Sequence, residues 1–272
     1  MTRKILATML VLAAVGATPL LSHDFWLVPM AFRIAPGAEL VVHGQTSSTF
    51  PTSLSAVTVD RVASVRLITA TTEQAIANVA VNGNSLRLSH RPTAHGQVVV
   101  AATLRPRSVR ESPASFRQYL TLEGAPEALL RYERAGLLPT DSVTRRYAKY
   151  AKAVVEVGEN GSRAFSKVAG HPLEFVPLDD PAAVQTGTAL RFRVLFNGTP
   201  LPRARGHASA AVSADSDSAF HQVEFESDAN GEFSVQIAGK GLWNVRALHI
   251  VQSPANSGAN WDVHWATLVW RR

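Results

Sequence analysis

The chain has no cysteine among its 272 residues. That excludes disulfide staples, thiolate metal sites and cysteine nucleophiles, so any metal site must be built from His, Asp, Glu, Met or backbone groups. Long blocks of one charge are also missing. The bases between Arg105 and Arg110 and between Arg145 and Lys152 are scattered, and the net charge is +6, or +4 once Arg3 and Lys4 are set aside. So mild a balance predicts no nucleic-acid partner. There is no Gly-x-Ser-x-Gly elbow, no Walker-type phosphate loop and no dinucleotide fingerprint, which removes the common hydrolase, nucleotide and hydride-transfer signatures. No segment beyond the amino terminus approaches the ~20 apolar residues of a membrane helix, so no integral membrane segment is expected in the mature chain.

What is present is enough apolar material for a core, 46% hydrophobic against 18% charged residues. Met1-Thr2-Arg3-Lys4 followed by the apolar run Ile5 to Ala17 reads as a secretory signal over residues 1–22, and implies a periplasmic protein. Cleavage fits after Ala17 or after Ser22. The small-residue rule favours Val15-Gly16-Ala17. Cleavage after Ser22 gives His23 a free α-amine beside its imidazole, a chelate suited to Cu, Ni, Co or Zn.

From residue 23 onward, turn signals punctuate short runs rich in β-branched residues. Val79-Ala80-Val81 and Ser85-Leu86-Arg87-Leu88 flank Asn82-Gly83-Asn84, a hairpin signal. Ser115 to Gly124 and Pro126 to Ala135 carry helical spacing. Asp141 to Lys152 starts with helical character and gives way to a strand at Ala153 to Gly158. Its bases Arg145, Arg146, Lys149 and Lys152 are expected on a solvated face. Leu190, Phe192, Val194 and Phe196 alternate with Arg191 and Arg193, and Asn197-Gly198 and Asp228-Ala229-Asn230-Gly231 are turns. The predicted class is mainly β. It has an N-terminal β domain over 23–160 with a helical insertion at about 111–152, and a C-terminal immunoglobulin-like β-sandwich over 168–272.

Nine histidines are present, and none forms a close HxH or HxxxH pair. A metal site must therefore be assembled across strands. His23 and Asp24 open the mature chain and His43 ends an early strand. These are candidate N/O ligands for a divalent transition metal. His90, His95, His207 and His221 fall in apparent loops. Trp243, Trp261, Trp265 and Trp270 read as sandwich core, or alternatively as a carbohydrate- or partner-binding platform. An N-terminal histidine also suggests the histidine brace of copper monooxygenases, with His23 and one further His supplying three nitrogens.

His23 to Pro29 (HDFWLVP) resembles the opening of the DUF4198 family of exported bacterial proteins. So do Phe116, Tyr119-Leu120 and Glu123-Gly124, the run Tyr147 to Lys152, Pro172 to Pro177, Asn197 to Leu201, Asp228 to Gly231, Gly241-Leu242-Trp243, His249 and Trp265 to Leu268. The resemblance implies a periplasmic, mainly β accessory of nickel or cobalt uptake; the chain is expected to be non-enzymatic and to work with a membrane uptake system. It adds His249 to the candidate ligands. His264 is also a candidate, at a position where the resemblance implies an aromatic. The alternatives are a structural or partner-binding module without metal, and the copper monooxygenase.

Overall fold

The computed structural model describes residues 23–134, 142–211 and 221–272. The signal reading of residues 1–22 lies outside them. In chain order the first strands are β1 (Asp24–Pro29), β2 (Arg33–Ile34), β3 (Leu40–Ser47), β4 (Val62–Ile68), β5 (Glu73–Ala75), β6 (Asn78–Asn82), β7 (Ser85–His90) and β8 (Gly96–Glu111). Helices α1 (Pro113–Leu122) and α2 (Pro126–Arg134) follow. Then come β9 (Val143–Val157), β10 (Leu173–Pro177), β11 (Ala189–Phe196), β12 (Thr199–Pro200), β13 (Arg205–Ala211), β14 (His221–Glu226), β15 (Glu232–Gln236), β16 (Leu242–Gln252) and β17 (Trp261–Arg271). The chain is mainly β with a short helical segment, as the sequence predicts.

The strands form three layers. The middle layer is a large sheet in the order β14-β13-β16-β17-β9-β8-β4-β5, with β2 also pairing β9. Strand alternation sends Val263, Trp265, Thr267 and Val269 of β17 to one side, and His264, Ala266, Leu268 and Trp270 to the other. The first side, here the helix face, is covered by the sheet β1-β3-β7-β6. Phe25, Leu27, Leu40, Val42, Leu86 and Leu88 pack there against Val98, Val100, Ala151, Ala153 and Val269. Further along the same face, Phe116, Leu120 and Tyr132 of α1 and α2 cover Trp261, Val263 and Trp265. The second side, the back face, packs Leu173, Phe175, Leu190, Phe192, Val194, Phe233 and Val235 of β10, β11 and β15 over Trp243, Val245, Ala266, Leu268 and Trp270. This back layer and the strands beneath it form the expected C-terminal sandwich.

Local signals explain the connections. Ser112 caps α1 by accepting from the Ser115 amide at 3.1 Å, Pro113 opens the helix, and Gly124 leaves it at φ 67°. Asn197 and Gly198 both have positive φ, 48° and 78°, the requirement of the two-residue turn joining β11 to β12. In the Asp228 turn, Asp228 Oδ1 accepts from the amides of Asn230 and Glu232, each at 2.8 Å.

Two expectations about organisation change. The helical segment ends by residue 134 within the described residues, and Val143–Val157 is one continuous strand. The four bases that suggested a solvated helix face each find a partner instead. Arg145 pairs with Glu111 at 2.5 Å, Arg146 with Asp262 at 2.8 Å and Lys152 with Glu174 at 2.6 Å, while Lys149 donates to the His23 carbonyl. In addition, the segments 23–160 and 168–272 share the middle sheet, because β9 pairs in parallel with β17 from Trp261↔Arg145 to Val269↔Ala153.

Candidate functional site

On the helix face, β1 lays His23 and Asp24 over β16 and β17. Thr267 Oγ1 donates to the Phe25 carbonyl at 2.7 Å, and Arg246 Nε donates to Asp24 Oδ2 at 3.0 Å. The same guanidinium donates from its Nη2 to Glu123 Oε2 at 3.1 Å, at the end of α1, and lies 4.8 Å over the Trp265 ring. One arginine thus ties the first strand and the helical hairpin to the middle sheet. Burial raises the pKa of both carboxyls, opposed chiefly by Arg246. Burial also pushes Lys149 down to about 8, against the pull of Asp24.

Arg246 also forms part of the wall of an open cleft of about 770 Å³ between α1, α2 and the β13-β14 hairpin. Leu120, Leu122 and Leu129 give it an apolar side, and Arg205, His207 and Glu224 a polar one. Cross-strand register places Glu224 opposite His207 and His207 opposite Arg246. Burial, then Arg246, pushes His207 down to about 4, so it stands neutral in this row.

On the back face, β16 and β17 set His249 directly opposite His264. Both rings meet the edge of Phe196, with centroids at 4.6 and 5.2 Å. Tyr150 stacks on His264, and its hydroxyl lies 3.1 Å from Nδ1. Burial, then the neighbouring His264, pushes His249 down to about 4, and burial lowers His264 against the pull of Asp262. Both imidazoles are therefore neutral at pH 7. When Nδ1 of His264 donates to Tyr150, Nε2 keeps its lone pair, the form a metal requires.

Tyr150 also lies 5.5 Å from the buried ring of His171. His171 Nε2 meets no hydrogen-bond partner, and burial, then Lys152 and Arg66, pushes this group down to about 3. The sign of the linkage follows directly. The unfolded chain binds a proton at this position near pH 6.5 and the folded chain resists it, so stability is full above about pH 6.5 and falls as pH drops toward 3. The expected cost from His171 alone is on the order of 3 kcal/mol at pH 4. Denaturant titrations at pH 7, 5.5 and 4 on the wild type and on His171→Phe measure it. The variant should show a shallower loss, and an equal slope in both proteins rules out this origin.

The predicted ligands fall at three places rather than one. His23 and Asp24 lie on the helix face of the middle sheet, and His249 and His264 on its back face, so the sheet itself stands between the pairs. His43 alternates with the core residues Leu40, Val42 and Gly44 of β3, and so points to the outer side of the four-stranded sheet. Asp24 is committed to Arg246, whose positive charge disfavours a cation there. Among the described residues no group of three or more His, Asp or Glu is positioned to hold a metal ion. The four tryptophans are at most 4% exposed, which removes them as a binding platform. Sequence reasoning missed Arg246 and misplaced His90, His207 and His221, which lie in β7, β13 and β14 rather than in loops. The signal for Arg246 was available: it is the one charged residue in the otherwise uncharged run Leu242 to Val251.

A family described as "Domain of unknown function (DUF4198)" matches residues 20–251. A comparison with curated proteins finds no match. Among solved structures, Escherichia coli alpha-2-macroglobulin activated by porcine elastase is similar at 9% identity and a TM-score of 0.23, covering 92% of this chain and 20% of that one. The full ectodomain of mouse nectin-like molecule 4 is similar at 11% identity and a TM-score of 0.18, covering 92% and 64%. Dimeric latent PorU from Porphyromonas gingivalis gives 11% and 0.18, covering 89% and 20%. The chain thus spans about a fifth of the length of the first and third of these proteins. No helix among the described residues is long and apolar enough to cross a membrane.

Proposed function

From the premise that this chain belongs to the DUF4198 family, we propose that it is a periplasmic, non-catalytic protein that binds a divalent transition metal, nickel or cobalt first, and hands it on. The observation that carries this reading is the register of His249 against His264. Directly opposed residues on antiparallel strands have Cβ atoms about 5 Å apart, so two neutral imidazoles can share one ion. Two ligands make a weak, open site. That suits transfer, in which a membrane uptake component supplies the remaining donors. Zn and Cu have the same preference for imidazole and are the natural competitors.

Calorimetric titration of the mature protein with Ni, Co, Zn and Cu tests the reading. The expected result is binding at about micromolar to sub-millimolar Kd, weakened at least about tenfold in both His249→Ala and His264→Ala and unchanged in His43→Ala. Absence of binding tighter than about 1 mM overturns it. The reading then left is a partner-binding β module, with the cleft beside Arg246 as its surface. Binding that survives both back-face substitutions overturns the site.

A further inference from the structure

Strand β6 ends the four-stranded sheet and, among the described residues, pairs only with β7. Its sequence, Asn78-Val79-Ala80-Val81-Asn82, reads the same in both directions. Four of its five residues are exposed, and Val81, 50% exposed, is one of the larger apolar groups at the surface. Natural sheet edges are normally guarded by Lys, Pro, a bulge or a covering element. This edge has no charge and no proline, and no backbone hydrogen bond reaches it from outside the hairpin among the described residues.

The hairpin fixes which groups are free. The turn is Gly83-Asn84, with Gly83 at φ 57° in the first central position, and it closes on the pair Asn82↔Ser85. A two-residue turn closes on a hydrogen-bonded pair, so Asn82, Ala80 and Asn78 direct their amides and carbonyls toward β7. Val79 and Val81 direct theirs outward.

We propose that β6 is a self-association edge, pairing antiparallel with β6 of a second copy of this chain about a two-fold axis through Ala80. An isologous contact requires that residue i meet j while j meets i. The palindrome satisfies this with matched chemistry at every step. Val79 faces Val81 of the copy and exchanges both backbone hydrogen bonds with it, four bonds in all. Asn78 faces Asn82, amide to amide. Val79 and Val81 pair across β7 with Leu88 and Leu86, on the side of the sheet that packs into the core. Joining two edges therefore continues each apolar layer into the other. The seam is short, well below the roughly 1,200 Å² of a stable interface, so the dimer is weak and concentration-dependent.

The lack of cysteine makes the test clean. At the axis, Ala80 forms a non-hydrogen-bonded pair with its own copy, with Cα atoms about 4.5 Å apart, within the range a disulfide spans. In Ala80→Cys, mild oxidation should give a covalent dimer at least about tenfold faster than in Asn84→Cys, whose copies lie at opposite ends of the seam, about 20 Å or more apart in this register. Sedimentation equilibrium of the wild type should show mass rising toward twice the protomer at about 0.1–1 mM. Val81→Pro removes an outward amide without touching the β7 ladder, and Val81→Lys guards the edge with charge. Both should stay monomeric over the same range. A wild type that is monomeric throughout, or equal crosslinking of the two cysteine variants, overturns the proposal. So does a dimer that persists in both Val81 variants.

Discussion

Arg246→Met should destabilise the fold by about 3–5 kcal/mol. The substitution keeps the volume and the contact with Trp265, and removes only the guanidinium. Asp24 and Glu123 then remain in place, with side chains 8% and 7% exposed and no cation on the oxygens that Arg246 now contacts. An unpaired buried carboxylate costs far more than an intact pair contributes, because its desolvation is no longer offset. The pH dependence identifies the cause. Both carboxyls already sit above their ordinary pKa through burial, and loss of Arg246 raises them further. A group whose folded pKa is raised regains stability as pH falls, so the gap between variant and wild type should narrow from pH 7 to pH 5. Denaturant melts at the two pH values measure this. A deficit below about 1 kcal/mol, or one that does not change with pH, contradicts the account. A restoring double substitution, Arg246→Met with Asp24→Asn, should recover part of the loss.

Glu174→Ala should be comparably damaging, about 3–5 kcal/mol, for a different mixture of reasons. Glu174 and Lys152 are each 1% exposed and 2.6 Å apart. Lys152 Nζ has its remaining protons on the Lys167 and Phe175 carbonyls, at 3.0 and 2.9 Å. Glu174 accepts from three successive amides, those of Ala169, Gly170 and His171, at 2.6, 2.9 and 3.2 Å. Its carboxylate therefore holds a loop as well as a charge. This separates the pair from an ordinary ion pair. For most buried pairs, replacing both partners by apolar groups is close to neutral. Here Lys152→Met with Glu174→Met should still lose about 2–4 kcal/mol, since three amides are orphaned. Lys152→Met with Glu174→Gln, which returns an acceptor to those amides, should be the milder double variant. Thermal melts of the four proteins rank these outcomes. A neutral Met/Met protein contradicts the loop-anchoring role.

How much of this was legible in the sequence differs by element. The alternation of Leu190 to Phe196, the Asn197-Gly198 turn and the Ser112-Pro113 helix start are local signals, and the structure follows them. Residues 143–152 were misread because β9 lies in the middle of a sheet covered on both faces. A strand buried on both sides loses its period of two. The bases at 145, 146, 149 and 152 then fell at helical spacing by coincidence. The sheet shared by residues 23–160 and 168–272 went unread for a related reason. The parallel pairing of β9 with β17 joins residues more than a hundred positions apart, and no local pattern announces it. Of the candidate ligands, Asp24, His43, His249 and His264 lie on strands, and His23 directly precedes β1. Which face each one takes depends on register, and that decided which met. His249 and His264 met across one hairpin, while His23 and Asp24 were left on the far side of the sheet.

The placement of β17 also bears on when this protein can fold. It is made after β16, yet it lies between β16 and β9, so it is the seam that joins the two halves of the middle sheet. Until residues 261–271 arrive, β9 lacks its parallel neighbour and Arg146 lacks Asp262. Contacts this distant in sequence form slowly, because the loop must close before the pairing contributes. The middle sheet is therefore completed by the last strand of the chain to be made, and its two halves stay unjoined until then.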